Sequence, residues 1–194
     1  MRPAIVDKLP RFFVDPATRL RPTNERECTA LLWAFHQSRR VDWSSVRLIR
    51  ENLSGSGLTV ASLFTADSTL YFEYPLFSTP RFGEKHWGDM RADFLLFSPA
   101  TRHIAVFECK LSARFTSDGT APRTGQLARL ATFLRHCEAE ARSLVLLCPA
   151  ITDAEDRFAV ALRNALKYSN GARPIKGFLA FWEDVVDALR EEAV

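Results

Sequence analysis

The apolar positions change spacing along the chain, and each change predicts an element boundary. Between Asn24 and about Ser38, Cys28, Leu31, Leu32 and Phe35 recur at helical spacing, which predicts an amphipathic helix opened by Asn24. Glu25 and Glu27 lie on opposite rims of its apolar face in the first turn, where negative charge suits the helix dipole. The segment Ser54-Gly-Ser-Gly57 breaks the chain. Leu58–Phe64 and Leu70–Phe77 then read as strands containing β-branched and aromatic residues. Residues 78–90, with Pro80, Gly83 and Gly88, form a loop long enough to cover a site. Two further strands are predicted over Arg91–Ser98 and His103–Ser112.

A flexible stretch, Thr116–Thr124, precedes a helix over Gly125–Ala141 that turns Leu127, Leu130, Phe133, Leu134 and Cys137 inward. Ser143–Cys148 reads as a buried strand, Ala154–Tyr168 as a helix, Gly177–Phe181 as a strand and Glu183–Glu192 as a final acidic helix. The order α-β-β-β-β-α-β-α-β-α predicts an α/β fold, a mixed central β-sheet with helices on both faces. A chain of 194 residues suits one domain with a real core, residues 1–22 with their four prolines forming an irregular N-terminal arm.

Composition narrows the class. Hydrophobic residues at 47% and charged residues at 25% describe a globular protein. No run reaches the roughly 18 apolar residues of a membrane span, and no signal-peptide apolar region opens the chain, so a cytoplasmic protein is expected. The net charge of +3 does not by itself identify a nucleic-acid binder. Residues 1–50 carry ten Lys/Arg against five Asp/Glu, a balance of +5 that leaves −2 for the remainder. A further set of arginines, Arg114, Arg123, Arg129 and Arg135, follows the fourth strand and suits either a polyanionic substrate or a solvated surface. The four cysteines, Cys28, Cys109, Cys137 and Cys148, are far apart beside apolar neighbours, which predicts buried free thiols. The four histidines are equally scattered, and no zinc constellation is visible.

The chemistry concentrates in one predicted hairpin. Pro99-Ala-Thr-Arg102 is a short connection between Arg91–Ser98 and His103–Ser112, and pairing Ser98 with His103 keeps partner numbers summing to 201. Asp93 then lies opposite Glu108, and strand alternation puts Lys110 on the Glu108 face, about 7 Å along. Opposed carboxylates destabilise a sheet. Ile104 and Val106 on one face, and Ala105, Phe107, Cys109 and Leu111 on the other, mark a central strand buried on both sides. Ionised groups at the end of such a strand need compensation, and an oxygen-only ligand set favours Mg²⁺ or Mn²⁺.

Arg91-Ala-Asp-Phe-Leu-Leu-Phe followed by Ile104-Ala-Val-Phe-Glu-Cys-Lys-Leu resembles the core motif of the PD-(D/E)XK nuclease superfamily, with its restriction-endonuclease-like core (α-β-β-β-α-β). The resemblance runs from the first helix to about Phe133. It implies a single nuclease-like domain, a Mg²⁺- or Mn²⁺-dependent deoxyribonuclease, and nucleic acid, DNA foremost, as partner. Asp93, Glu108 and the carbonyl of Cys109 would then bind metal, while Lys110 would orient or help deprotonate the attacking water. A carboxylate of the first helix would complete the site, Glu25 being favoured over Glu27 by its position near the apolar face. Gln126 resembles a glutamine that hydrogen-bonds near the metal or a phosphate in several branches. Ala92 departs from the pattern by replacing the motif's proline. Dimers are common in the superfamily, so a homodimer or a larger nucleic-acid-processing complex is compatible with it.

Several positions stay open. Asp89 rivals Asp93 but falls outside the 201 register. Glu73 reads either as a further site carboxylate or as an edge-strand surface residue. Arg123 could touch a phosphate or contact solvent, His86 and Trp87 could touch a nucleotide or cover the core, and Trp33, Trp43 and Trp182 read as packing. The alternative function is a catalytically inactive nuclease-fold module that binds nucleic acid or a protein partner.

Overall fold

Six strands form one mixed sheet, and its register follows from where the buried side chains fall. The computed structural model describes residues 24–50, 57–76, 91–111, 125–150, 152–167 and 174–189, with side chains for all of these except residues 50 and 152–158. The expected arm (1–22), the loop 78–90 with His86, Trp87 and Asp89, the stretch 116–124 with Arg123, and Arg114 lie outside the described residues. In chain order the elements are α1 (Glu25–Gln37), β1 (Ile49–Arg50), a 3-10 turn (Val60–Leu63), β2 (Thr69–Pro75), β3 (Arg91–Ser98), β4 (His103–Cys109), α2 (Gln126–His136), β5 (Ala141–Cys148), α3 (Thr152–Lys167), β6 (Lys176–Phe181) and α4 (Trp182–Asp187). The strand order is β1-β6-β5-β4-β3-β2. The β4–β5 and β5–β6 pairs are parallel and the other three antiparallel, so the α/β class with a mixed, helix-flanked sheet is as expected.

Alternation splits the core into two layers. Phe94, Leu96, Phe107, Val145 and Phe178 pack with Cys28, Leu32 and Phe35 of α1 and Trp182 and Val185 of α4. Leu95, Val106, Leu144 and Leu146 pack on the other face with Leu127, Leu130 and Leu134 of α2 and Leu162 of α3. β4 is central and buried on both faces, as its sequence predicts. Gly177 lets α3 approach β6 closely, since a Cβ there would lie 3.1 and 3.2 Å from Leu162 and closer still to Leu166. No described helix is long and apolar enough to cross a membrane.

Local chemistry explains the boundaries. The Asn24 side chain accepts from the Glu27 N–H at 3.0 Å, capping α1. Leu58–Phe64 is not a strand. The Ser62 N–H bonds the Thr59 carbonyl at 2.9 Å and the Phe64 N–H that of Ala61 at 3.0 Å, and this tight turn drives Val60 and Leu63 together into the core. The predicted helix Gly125–Ala141 stops at His136, because Ala141 is taken into the parallel ladder opposite His103 and the buried Arg142 guanidinium caps the Cys137 carbonyl. The last helix ends at Asp187, and Leu189 bridges to Val41. Strand β1 was not anticipated, although Val46 and Leu48, both buried, alternate into it. The four thiols are free, three of them buried and Cys137 partly so.

Candidate functional site

The carboxyl end of β4 gathers charged groups from both faces of the sheet. The β3–β4 ladder runs from Ser98–His103 to Phe94–Phe107 in the expected register and stops one step short of Asp93 and Glu108. At that step the Asp93 carboxylate turns to accept the Cys109 N–H at 2.6 Å. The β2–β3 ladder also skips this position, between Phe72–Phe94 and Tyr74–Ala92, and Glu73 there adopts a left-handed backbone with φ 46°. Asp93 is thus released from strand pairing on both sides.

Glu108 follows Val106 on the α2 face and is fully buried. Gln126, the first residue of α2, donates its Nε2 to Glu108 Oε2 at 2.9 Å. Glu108 Oε1 has no hydrogen-bond partner; Lys110 Nζ lies 2.5 Å away, off the angle a hydrogen bond requires. The same ammonium reaches Glu25 Oε1 at 2.9 Å, while Glu25 Oε2 accepts the Leu111 N–H at 3.1 Å. Lys110 therefore ties α1 on one face to Glu108 on the other. Its backbone is fixed as well, with its N–H bonded to the Leu147 carbonyl at 2.8 Å and its carbonyl accepting Trp182 Nε1–H at 3.0 Å.

Burial sets the electrostatics. It pushes the Glu108 carboxyl up to about 8, reinforced by the neighbouring Asp93 charge and opposed by Lys110. Burial also lifts Asp93 to about 6, against the Cys109 hydrogen bond and Lys110. Burial pulls the Lys110 ammonium down, but Glu108 and Glu25 more than offset this and hold it well above its ordinary value. One cation thus faces three carboxyl groups. Two of those carboxyls resist ionising, and one buried oxygen lacks a hydrogen bond. That donor set fits a hard divalent cation, although among the described residues no three His, Cys, Asp or Glu side chains are already arranged around one point.

The structure brings together Glu25, Asp93, Glu108, Lys110 and Gln126, and places Cys109 fully buried among them. Glu27 does not join, since its backbone takes the helix cap while Glu25 reaches the strand end. Glu73 sits beside the site on the edge strand, where Arg26 grips it at 2.5 and 2.9 Å and Arg91 lies 3.7 Å away. Trp33 and Trp43 pack in the aromatic cluster with Phe72, His36 and Phe64. The contact of Trp182 with Lys110 was not foreseen; no sequence spacing links positions 72 residues apart. No family model, curated protein or solved structure matches the chain.

Proposed function

We propose that this chain is a divalent-metal-dependent nuclease that hydrolyses phosphodiester bonds in DNA, with a restriction-endonuclease-like core of the PD-(D/E)XK superfamily. One observation carries the reading: Asp93, Glu108 and Lys110 converge at one buried strand end with more carboxyl groups than cations. Asp93 and Glu108 would hold Mg²⁺ or Mn²⁺, with the Cys109 carbonyl and Glu25 as neighbouring oxygen donors. When bound, such an ion neutralises phosphate charge and lowers the pKa of a coordinated water.

The remaining work falls to this chain's own residues. Lys110 supplies fixed positive charge where the phosphoryl oxygens gain negative charge, and its contacts with Glu25 and Glu108 orient it beforehand. Gln126 fixes the Glu108 carboxylate so that its second oxygen faces the site. The Cys109 N–H holds Asp93 in one rotamer.

The test is incubation of the purified chain with plasmid and linear DNA in Mg²⁺ or Mn²⁺, beside Lys110→Ala and Asp93→Asn. Cleavage by the parent chain that either substitution abolishes supports the reading. Intact DNA across metals and pH, or undiminished cleavage by Lys110→Ala, refutes it. The alternative, an inactive nuclease-fold module that binds nucleic acid or a protein partner, draws on the closed Glu25–Lys110–Glu108 network, which is satisfied enough to serve as a structural clamp. Metal titration separates the two, because a clamp has no carboxylate-dependent Mg²⁺ affinity.

A further inference from the structure

A second polar cluster lies at the amino ends of β4, β5 and β6, about 20 Å along the strands from Lys110. Ser143 and Lys176 are partners in the parallel β5–β6 ladder, so their side chains leave the same face. His103, which opens β4, shares that face and places Nε2 3.0 Å from Ser143 Oγ. Burial pushes the imidazole down, so it is a neutral wall.

This wall borders a cavity of about 260 Å³. Leu58, Leu63 and Phe178 give it an apolar side, and Thr101 and Lys176 a polar rim. Lys176 is the charged residue of the described lining, and no carboxylate of the described residues lies within ion-pair distance of it. The nearby Asp67 is engaged elsewhere, by the Thr65 hydroxyl and by the Ala100 N–H at 2.6 Å. It lies at the opposite end of β4 from Lys110 and shares no lining residue with that site. The feature is therefore separate from the nuclease reading and does not depend on it.

We infer that this pocket binds a small organic anion, a phosphate monoester or carboxylate on an aromatic or short aliphatic body. Lys176 pairs with the charge, Thr101 donates to it, and Phe178 and Leu63 contact the body. Amide NMR spectra of the whole chain test this, with phenyl phosphate, benzoate and benzyl alcohol as probes. Both anions should shift the Leu63, His103, Ser143 and Lys176 amides saturably in the roughly millimolar range expected for unoptimised ligands of about ten atoms. Benzyl alcohol should bind about tenfold more weakly or worse. Lys176→Met, an exposed change that leaves the fold intact, should weaken both anions about tenfold and leave the alcohol unaffected. The tighter of the two anions identifies the natural head group. Absence of saturable shifts at these amides, equal binding of the alcohol, or unchanged anion binding by Lys176→Met would each overturn the inference.

Discussion

In metal-free buffer, raising the pH should loosen this protein, and Glu108 is the group responsible. Its carboxyl is fully buried and held at about 8, against an ordinary value of 4.5. In the unfolded chain it ionises near its ordinary value. Between those limits the native state keeps a proton that the unfolded state has lost. The stability this supplies is complete below about pH 4.5 and is lost as pH rises through about 8. Asp93, held near 6, acts in the same sense at lower pH. His36 and His103, pushed down by burial, act in the opposite sense and release stability as pH falls below about 6.5.

The useful window is therefore pH 6.5 to 8.5, where the folded histidines are mostly neutral and comparison with a Glu108 variant cancels the protons the unfolded histidines still bind near its lower end. At about 1.4 kcal/mol for each pH unit, Glu108 removes on the order of 2 kcal/mol across it. For a domain of this size that is roughly 4–8 °C in Tm. Thermal melts in chelator should show the fall in the parent chain and not in Glu108→Gln, which keeps the shape and the acceptor for Gln126. Mg²⁺ should restore Tm at pH 8.5 in the parent chain alone. A constant difference between the two proteins across the window would refute the assignment of a protonated buried Glu108.

Three further outcomes follow from the packing. Gln126→Ala strips Glu108 Oε2 of its partner, so urea unfolding at pH 8 should report a loss of about 1–3 kcal/mol, and any Mg²⁺-dependent cleavage should fall with it. Gly177→Ala forces a methyl group against Leu162 and Leu166 of α3 and should cost about 1–3 kcal/mol by the same assay, with the α3 amides showing the largest NMR shifts. Arg47→Ala breaks an ion pair whose arginine is 69% exposed. It should change stability by no more than about 1 kcal/mol, and less in high salt.

How much of this was legible depends on the range of the force involved. The β3–β4 register could be read because a four-residue connection fixes it locally, and the central placement of β4 because both of its faces are apolar. The helix boundary at His136 could not. Cys137 and Ala141 continue the helical spacing of Leu130 and Leu134, although Cys137, Ala139 and Ala141 also alternate, and pairing with His103, nearly 40 residues earlier, takes Ala141 into a strand. The 3-10 turn failed for the opposite reason. Val60 and Leu63 carry strand-forming neighbours, but the Ser62 hydroxyl bonds the backbone locally, its Oγ reaching the Thr59 carbonyl at 2.5 Å.

The site follows the same rule, and this bears on how it works. Asp93, Glu108 and Lys110 were readable because one hairpin carries them, whereas the geometry that readies them comes from outside it. Glu25 arrives from α1, Gln126 from α2 and Trp182 from α4, so the α1/α4 layer supplies two contacts and the α2 layer one to the segment Glu108–Lys110. Lys110 lies just beyond the ladder end, where a lysine with no fixed partners would sweep through solvent. Its backbone bonds to Leu147 and Trp182 fix where the side chain starts, and its ion pairs with Glu25 and Glu108 hold the ammonium. The entropy of fixing the side chain is thereby spent before any substrate arrives. A hairpin excised from this sheet would keep all three residues and lose that order, so the proposed chemistry needs the whole fold and not the motif alone.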